Sequence, residues 1–588
     1  MVPAKFGVTL GCDGATFRLW APAAKRVEVI LDAPYTMQRL EDGWFAATVA
    51  TATNGSRYEF RIDGATQVPD PASHYQPNGV LRPSEVIDHG SYRWRATDWR
   101  GRPWQEAIVL EAHVGTFTAE GTYRAMIERL DHLAATGITA LELMPLADCP
   151  GRRNWGYDGV LWYAPANIYG RPDDLKTLID EAHLRGLMVF LDVVYNHFGP
   201  QGNFLGRYAP AFFSSTATPW GNAIDYRIPQ VRQFAIDSAL SWLGNYRFDG
   251  LRLDAVHAIV EPGDPPFLAE LSREVGDFAA ASGRTIHLIL ENDDNRAALL
   301  DPAIDPPNGG YRAQWNDDYH HAWHVLLTGE SAGYYQDYPD PLRGIARALA
   351  SGFIYQGEAS KHRGGARRGE PGRTLPPMAF VTFLQNHDQI GNRAFGNRLE
   401  TIAKPAALEA ALAITLLAPM PPMLFMGEEW GSRAPFPFFC DFTGDLAEAV
   451  RQGRRREFHA AYAAHGDEIP DPLDEATFRS ARLDWHELAS LSARKRLSLV
   501  RRLLAVRRQW IVPHLAAARF DDAGLSAAGL LSAHWKLGEN RLLTLRANLS
   551  EAAIASHLGP SSSGEVIWGD RSRDVVAPWS VVWMIGGS

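Results

Sequence analysis

The sequence predicts an α/β protein whose central domain is a (β/α)8 barrel, preceded by an N-terminal β-sandwich and followed by a small C-terminal antiparallel β domain. Three observations support this fold class. Short alternating strands fill residues 1–100, apolar runs then alternate with amphipathic helices as far as residue 425, and several of these runs end in acidic residues or histidine. We expect domains at residues 1–100, 101–512 and 513–588. An open doubly wound sheet is the alternative to the barrel.

Composition limits the class of protein. The chain has 588 residues, of which 46% are hydrophobic and 21% charged, and its net charge is −10. A chain of this length exceeds a single hydrophobic core, and the negative charge argues against a nucleic-acid partner. Three cysteines without metal-ligand spacing (Cys12, Cys149 and Cys440) suit a reducing compartment without disulfides. Because no signal peptide or membrane-spanning apolar run is evident, we expect a cytoplasmic protein without a membrane partner.

The N-terminal region has the pattern of a β-sandwich of the immunoglobulin-like or carbohydrate-binding type. Its apolar residues alternate with polar ones in four runs separated by Pro, Gly, Asp and Asn. The predicted strands are Ala15–Trp20, Val27–Leu31, Gly43–Val49 and Tyr58–Ile62. No catalytic grouping is evident in this region, and the stretch from Trp94 to Pro103 has the composition of a link to the next domain.

The central region alternates between strands and helices, which favours a barrel of parallel strands. We predict strands at Ile108–Val114, Ile138–Met144, Leu187–Val194, Phe248–Asp254, Thr285–Leu290, Tyr311–Trp315, Ala379–Leu384 and Met423–Phe425. We predict helices at Tyr123–Ala135, Asp173–Arg185, Val231–Leu243 and Leu497–Val506. The C-terminal domain has strands at Leu542–Leu545 and Val581–Val582–Trp583.

The strand Phe248–Asp254 carries two charges among apolar residues. Alternation places Leu251 and Leu253 on one face, and Arg252 and Asp254 on the other. Burying these charges costs several kcal/mol unless they face a polar cleft. The alternative is a buried ion pair that only fixes the strand register.

Other predicted strands also end in polar side chains. The third ends in Asp192 to His197, the fifth in Glu291, and the seventh in Asn386-His387-Asp388. Active sites of barrels lie at the C-terminal ends of the strands, so we expect these residues to converge.

Two carboxylates about 5 to 5.5 Å apart suffice for retaining glycoside hydrolysis. Metal-assisted hydrolysis is the competing chemistry, but metal-ligand spacing is not evident apart from Asp293, Asp294, Asp317 and Asp318. These four suit sugar-contacting or solvated loop residues better, so we expect neither a metal nor a cofactor.

These strand ends resemble the four short sequence regions of the α-amylase superfamily, glycoside hydrolase family thirteen. The resemblance implies that Asp254 is the nucleophile, Glu291 the general acid/base and Asp388 the stabiliser of the transition state. It further implies that Arg252 orients Asp254, and that His197 and His387 bind the sugar. The segment Asn154-Trp155-Gly156-Tyr157-Asp158 resembles the loop whose tyrosine stacks on that sugar, which adds Trp155, Tyr157 and Asp158 to the expected substrate-binding residues.

A closer resemblance is to the maltooligosyltrehalose trehalohydrolases of this superfamily. It is carried by Leu110–Thr118, Pro150–Asp158, Gln314–His321, Gln356–Glu358, Phe425–Gly431 and Pro437–Asp441. Cys149 departs from the pattern, where an aromatic residue is expected. The resemblance implies retaining hydrolysis of the α-1,4 bond next to a terminal trehalose unit, downstream of a maltooligosyltrehalose synthase. A 1,4-α-glucan branching enzyme is the alternative, whereas a catalytically dead glucan-binding protein would lack one of the three acids.

Release of trehalose requires fixed hydrogen-bond partners on the leaving-group side, because unpaired polar groups discriminate strongly between sugars. The candidates lie in the loops that follow strands four, six and seven. The alternative is that they are ordinary solvent-exposed loop residues. The candidates are His257, Asp317, Asp318, His321, Gln389 and Asn392, and His320 is a further expected substrate-binding residue. Trp315 and Trp430 are further aromatic candidates beside strand-end motifs.

Overall fold

The computed structural model describes residues 5–300, 310–538, 540–555, 564–570 and 575–587. It contains a closed barrel of eight parallel strands, an N-terminal pair of antiparallel sheets and a C-terminal antiparallel sheet. The predicted fold class is therefore confirmed. The numerical domain boundaries stay predictions.

The N-terminal domain is built from two sheets that bury their facing residues. One sheet orders its strands Gly7–Gly11, Gly14–Trp20, Trp44–Val49 and Gln38–Arg39. The other orders Pro34–Thr36, Val27–Ile30, Arg57–Ile62 and Thr66–Val68, with Ser84–Glu85 beside Arg57–Ile62. Phe17, Val29 and Phe60 are fully buried between them, as expected of inward positions on alternating strands. All four predicted strands are confirmed.

The barrel confirms all eight predicted strands in sequence order. Barrel strands one to eight are Val109–Ala112, Ala140–Leu143, Met188–Val193, Gly250–Leu253, His287–Leu290, Ala313–Trp315, Phe380–Phe383 and Pro422–Phe425. Strand one pairs with strand eight through Val109 and Met423, so the sheet closes and the open-sheet alternative is wrong. Each strand is buried along its whole length because helices cover the outside and side chains fill the inside.

Helices cover the barrel. The longer ones are Pro172–Leu184, Pro229–Asn245, Phe267–Ser282, Asp317–Thr328, Pro341–Ser351, Pro405–Leu417 and Leu491–Val506. The helix predicted over Tyr123–Ala135 is wrong as a single element, because the chain forms Tyr123–Ile127 and Leu130–Thr136. Between them the amide of Arg129 bonds to the carbonyl of Met126, three residues back, at 3.0 Å. This tighter turn ends the first helix.

The C-terminal sheet packs against the barrel. Its strands are Ala518–Leu525, Leu531–Leu537, Arg541–Asn548, Ser580–Gly587 and Glu565–Trp568, in that spatial order. The rings of Trp535 and Trp583 stack with centroids 5.5 Å apart. The indole N–H of Trp583 donates to the carbonyl of Ala413 at 3.2 Å, which joins this sheet to the helix Pro405–Leu417. In the described part of the chain, no helix is both long and apolar enough to cross a membrane.

Candidate active site

Arg252 lies at the centre of the residues that follow the barrel strands. Its Nη1 is 2.7 Å from Asp192 Oδ2 and 2.9 Å from Asp254 Oδ1, and its Nη2 is 3.1 Å from Glu291 Oε2. The guanidinium also lies 4.0 Å from the centre of the Trp315 ring. Because one buried arginine contacts three carboxylates from three strands, it does more than fix the register of its own strand.

Asp254 is held in its ionised form. Its Oδ2 accepts a hydrogen bond of 2.9 Å from the side-chain amide of Asn196. Burial opposes ionisation, but the charge of Arg252, together with His197 and the bond from Asn196, keeps the pKa of Asp254 below its usual value. The side chain is therefore a carboxylate at neutral pH.

The surroundings of Glu291 favour its protonated form. Burial raises the pKa of Glu291 well above its usual value, and the charges of Asp254, Asp317 and Asp388 add to this effect against the opposing charge of Arg252. Its Oε2 accepts a hydrogen bond from the backbone amide of Ala255 at 2.7 Å. Two carboxyl groups on one guanidinium therefore have pKa values displaced in opposite directions, which is the arrangement expected of an acid and a nucleophile.

Asp388 and His387 complete the group after strand seven. Asp388 Oδ1 accepts a bond of 2.8 Å from the side-chain amide of Asn392. The ring and the backbone amide of His387 both donate to the carboxylate of Glu111, the backbone bond at 3.0 Å. Burial lowers the pKa of His387, but the charge of Glu111 outweighs it and leaves that pKa above its usual value. Glu111 was not predicted from the sequence, although a charge inside the apolar strand Val109–Ala112 was a visible signal.

The loop Asn154–Asp158 presents one ring to this group and buries another. Tyr157 stacks on His387 with centroids 5.0 Å apart, and its hydroxyl donates to Asp192 at 2.5 Å. Trp155 is only 4% exposed and stacks on Phe436, so it lies behind the loop. Asp158 accepts from the side-chain amide of Asn154 at 2.6 Å and so shapes the loop itself.

His197 connects Asp254 to an aromatic residue that was not predicted from the sequence. Its Nε2 is 2.9 Å from the carbonyl of Tyr157, and its ring stacks on Trp220 with centroids 4.7 Å apart. Trp220 is 47% exposed at the tip of the hairpin formed by Phe213–Thr218 and Gly221–Ile224. A half-exposed indole on a site histidine is a ready platform for a sugar ring. The turn Thr218-Pro219-Trp220-Gly221 was the signal for it.

A cavity of about 230 Å³, which we call the Glu291 cavity, opens beside Glu291 and Asp388. Five predicted site residues line it as well, namely His257, Asp317, His321, Gln389 and Asn392. Asp293, for which the sequence left sugar contact or a solvated loop open, lines it too. Seven lining residues were not predicted: Tyr334, Asp337, Tyr338, Ser360, His362, Arg363 and Arg368. Among the described residues, Asp254, Tyr157 and His197 do not line it. The cavity therefore adjoins Glu291 and Asp388 but not Asp254.

The helix Asp317–Thr328 divides its polar residues between two directions. Asp317 and His321, one turn apart, line the Glu291 cavity. Asp318 is fully buried among protein donors, and His320 Nδ1 lies 2.6 Å from the carbonyl of Leu384. Asp318 and His320 therefore lie behind the wall of the cavity, where direct sugar contact stays only a prediction.

Three of the lining residues are tied together around Asp317. Burial raises the pKa of Asp317 to about 7, and the charges of Asp293 and Asp388 contribute. The side-chain amide of Gln389 lies 3.4 Å from Asp317 Oδ1, a long hydrogen bond, and its oxygen accepts from the hydroxyl of Tyr334 at 3.1 Å. Asp317 therefore retains acceptor capacity toward the cavity.

His257 and two tryptophans are the remaining predicted residues. His257 Nδ1 accepts from the backbone amide of Asp293 at 3.2 Å. Trp315 and Trp430 are each 1% exposed, the first over Arg252 and the second against Trp485 with centroids 4.6 Å apart. Their contacts are internal packing. Within the described ranges, no three His, Cys, Asp or Glu side chains form a group that could hold a metal.

Profiles of three families match the chain in the order of its domains. "Carbohydrate-binding module 48 (Isoamylase N-terminal domain)" matches residues 5–76, "Alpha amylase, catalytic domain" matches residues 93–210, and "Domain of unknown function (DUF3459)" matches residues 518–583. The catalytic profile covers barrel strands one to three.

Full-length relatives decide the family. The maltooligosyltrehalose trehalohydrolase of Deinococcus radiodurans is 40% identical over 86% of this chain and 82% of its own length. The chain belongs to the maltooligosyltrehalose trehalohydrolase family. The trehalohydrolase of Saccharolobus solfataricus is 39% identical over 82% of this chain and 83% of its own length. This trehalohydrolase-family chain is a glycoside hydrolase. A 1,4-alpha-glucan branching enzyme of Pseudoalteromonas atlantica is 32% identical over only 42% of this chain and 38% of its own length.

Solved structures agree with the trehalohydrolase assignment at the level of the fold. A crystal structure of a putative alpha amylase from Salmonella typhimurium has a TM-score of 0.93 and 42% identity, and covers 99% of each chain. A pullulanase from Paenibacillus barengoltzii has a TM-score of 0.73 at 20% identity, which is a likeness of fold alone.

Proposed function

We propose that the chain hydrolyses the α-1,4-glucosidic bond next to the terminal trehalose unit of maltooligosyltrehalose, with retention of configuration, releasing trehalose and a maltooligosaccharide. The observation that carries the proposal is the pair Asp254 and Glu291 on one guanidinium, at 2.9 Å and 3.1 Å, with pKa values displaced in opposite directions. Retaining glycosidases need this division between an ionised nucleophile and a protonated acid.

The reaction has two displacements. In the first, an oxygen of Asp254 bonds to the anomeric carbon while the glycosidic C–O bond breaks and Glu291 gives its proton to the departing oxygen. In the second, Glu291 takes a proton from water, whose oxygen bonds to the anomeric carbon and releases Asp254. Asp388 supplies negative charge to the oxocarbenium-like transition state, and Arg252 holds Asp254 in line.

The glucose unit on the nucleophile side would lie on Tyr157. That ring stacks on His387 and its hydroxyl is fixed by Asp192, so the platform is rigid before substrate binds. His387 would donate to a sugar hydroxyl beside it, whereas His197, whose two ring nitrogens face Tyr157 and Asn196, would act by fixing the loop that carries Tyr157. Trp155 and Asp158 would act through the loop, because the first is buried and the second bonds to Asn154.

The trehalose unit would occupy the Glu291 cavity. In trehalose both anomeric carbons are joined, so the disaccharide is bent and presents its hydroxyls in directions that maltose does not. Asp317, His321 and Gln389 line the cavity beyond Glu291, and Asp317 has acceptor capacity left. Polar groups fixed in this way penalise a leaving group that leaves them unpaired.

We further propose that the enzyme acts in the cytoplasm on the product of a maltooligosyltrehalose synthase. Its three cysteines, Cys12, Cys149 and Cys440, are free thiols, which suits a reducing compartment. The substrate carries a terminal trehalose unit that an enzyme isomerising the end of a maltooligosaccharide must supply. Cell fractionation with an antibody against the chain tests the location.

Product analysis tests the proposed activity. The pure protein is incubated separately with maltooligosyltrehalose and with amylose, and the products are identified by chromatography and mass. We expect free trehalose from the first substrate, and we expect slow or no change in the second. New α-1,6 branches in amylose would instead identify the branching reaction and overturn the proposal.

A further inference from the structure

Residues 353–370, which we call the strap, form one wall of the Glu291 cavity. The strap follows the helix Pro341–Ser351 and folds back on itself, so that Glu358–Ala359 pairs with Arg367–Arg368. Its residues Ser360, His362, Arg363 and Arg368 line the cavity together with Asp317 and Glu291. The position of the strap therefore sets the shape of the space beyond the acid.

Both ends of the strap bind the same buried carboxylate. Asp318 Oδ2 accepts from the backbone amides of Ile354 and Tyr355, each at 2.8 Å, at the start of the strap. Asp318 Oδ1 accepts from Arg368 Nη1 at 2.8 Å, at its end. One side chain, 0% exposed, thus joins the entry and the exit of the strap.

The acceptor capacity of Asp318 is filled by the protein. Besides the strap, Oδ1 accepts from the hydroxyl of Tyr338 at 2.6 Å, and Oδ2 accepts from the side-chain amide of Asn295 at 2.9 Å. A carboxylate offers about four lone-pair sites, and here five donors share them. Asp318 therefore has no free lone pair to accept a hydrogen bond from a sugar hydroxyl, whereas its neighbour Asp317 has.

Arg368 extends the connection to the loop after strand five. Its Nη2 is 2.8 Å from Asp293 Oδ1, and its Nε donates to the carbonyl of Asp293 at 2.6 Å. Arg363 donates to Asp294 at 2.7 Å and to Asp293 as well. The strap is consequently fixed to the loop after strand five and to the helix Asp317–Thr328 by charge-assisted bonds before substrate arrives.

We propose that Asp318 is a positioning residue that holds the strap as the wall of the Glu291 cavity, and thereby sets the preference for a trehalose leaving group over a maltose one. This inference rests on the proposed function, because it assigns the cavity to the leaving group. If the wall moves, the hydrogen-bond partners of the bent disaccharide move with it. Small displacements of such partners lower the rate and the selectivity of an enzyme. The nucleophile side, formed by Asp254 and Tyr157, stays in place.

The test uses Asp318→Asn, Arg368→Gln and the double variant in the full-length enzyme. Steady-state kinetics are measured with maltooligosyltrehalose and with a plain maltooligosaccharide of equal length. We expect kcat/KM for the trehalosyl substrate to fall roughly tenfold or more, mainly through KM, and that for the plain substrate to fall less than about threefold. Because both side chains act through the strap, the double variant should lose less than the product of the single losses.

Limited proteolysis reports the strap without reference to activity. Trypsin cleaves after Lys and Arg, and Lys361, Arg363 and Arg367 lie within the strap. We expect Asp318→Asn to be cut there faster than wild type. The matched control is Asp249→Asn, since Asp249 is equally buried and accepts from Trp99 and His183 at 2.8 Å each, but lies away from the cavity. The control should lower thermal stability without changing selectivity or strap cleavage.

Three outcomes would overturn the inference: equal losses on both substrates, no loss on either substrate, or a strap in Asp318→Asn that resists trypsin like wild type. If Asp318→Asn fails to fold, Arg368→Gln provides the same readouts, and the same three outcomes in that variant would overturn the inference. Absence of trehalose from the wild-type reaction would be a different result, because it would overturn the proposed function itself.

Discussion

At the scale of single residues, Arg252 contacts two carboxyl groups, Asp254 and Glu291, whose pKa values are displaced in opposite directions. The charge of Arg252 lowers the pKa of both Asp254 and Glu291, so it cannot by itself distinguish them. Asp254 gains further stabilisation of its anion from His197 and Asn196. Glu291 faces the charges of Asp254, Asp317 and Asp388 in addition to burial. The difference between the two pKa values is therefore created by the surroundings of each carboxyl group.

Substitution of the two carboxyl groups separates their roles. We expect Asp254→Ala and Glu291→Gln each to lower kcat for the natural substrate by about 10² to 10⁴ or more, while circular dichroism and glucan binding stay close to wild type. Glu291→Gln should still react with a substrate whose leaving group needs no proton, such as a glycosyl fluoride. Hydrolysis of maltooligosyltrehalose at near-wild-type rate by either variant would refute the assignment.

The pH dependence of kcat/KM follows from the two displaced pKa values. Activity should fall in acid as Asp254 is protonated, below the usual aspartate range, and should fall in alkali as Glu291 loses its proton, well above the usual glutamate range. Because the Asp317 charge raises the pKa of Glu291, Asp317→Asn should move the alkaline limb to lower pH. The matched control is Asp294→Asn, which removes a carboxylate paired with Arg363 of the strap. A profile that is flat from weakly acid to neutral and alkaline pH would contradict the pairing.

Several site residues could be predicted from the sequence, whereas their partners could not. Asp254, Glu291 and Asp388 follow apolar strands, so their convergence follows from barrel geometry. Glu111 and Trp220 act on His387 and His197 from elements distant in sequence, and only the folded chain brings them together. The roles of Asp317 and Asp318 also differ only because the helix turns one toward the cavity and the other away from it.

At the scale of elements, the helix Asp317–Thr328 provides a test of leaving-group recognition. We expect Asp317→Ala or His321→Ala to lower turnover of maltooligosyltrehalose far more than turnover of a plain maltooligosaccharide, because both residues line the Glu291 cavity. His320→Ala is the control for loss of packing, since its ring bonds to Leu384 behind the wall. Equal losses on the two substrates would show that these residues support the general machinery.

A second element-scale feature makes the molecule sensitive to acid. His74 and His89 lie 3.0 Å apart, nitrogen to nitrogen, between the N-terminal domain and the barrel helix that carries Lys176. Burial, with the charge of Lys176, lowers the pKa of His74 to about 4 and that of His89 well below its usual value. The unfolded chain therefore binds more protons below pH 6.5, so stability is complete above that pH and is lost toward pH 4.

Thermal unfolding across this pH range measures the effect. His74→Gln should flatten the dependence by up to about 1.4 kcal/mol per pH unit, the value for one proton. The exposed His486→Gln should leave the slope unchanged. An unaltered slope in His74→Gln would show that this histidine does not contribute to acid sensitivity.

Strands and helices could be predicted from the sequence where burial of their side chains alone determines the pattern of apolar residues. All eight barrel strands are buried on both faces, and continuous apolar runs reveal such strands. The break between Tyr123–Ile127 and Leu130–Thr136 escaped prediction because a shift from four-residue to three-residue hydrogen bonding hardly changes the apolar spacing. The hairpin that carries Trp220 is short and half-exposed, so its alternation is weak.

At the scale of the whole molecule, the two ends of the barrel have different tasks. The C-terminal ends of the strands carry Arg252 and the three carboxylates that it contacts, Asp192, Asp254 and Glu291. At the opposite end, Asp249 binds Trp99 and His183, and Arg507 donates to the carbonyls of Leu416 and Met420 at 3.2 Å and 2.7 Å. Such bonds secure the chain before and after the strands. Stability and chemistry are thus separated along the barrel axis.

In the proposed mechanism, Asp254 forms a covalent bond to the sugar while Glu291 supplies the proton. The most direct measurement is to treat Glu291→Gln with α-maltosyl fluoride, digest the protein and locate the added mass by tandem mass spectrometry. We predict one maltosyl ester, carried by the peptide that contains Asp254. A mass on another carboxylate, or release of a β-configured product without an adduct, would contradict this claim.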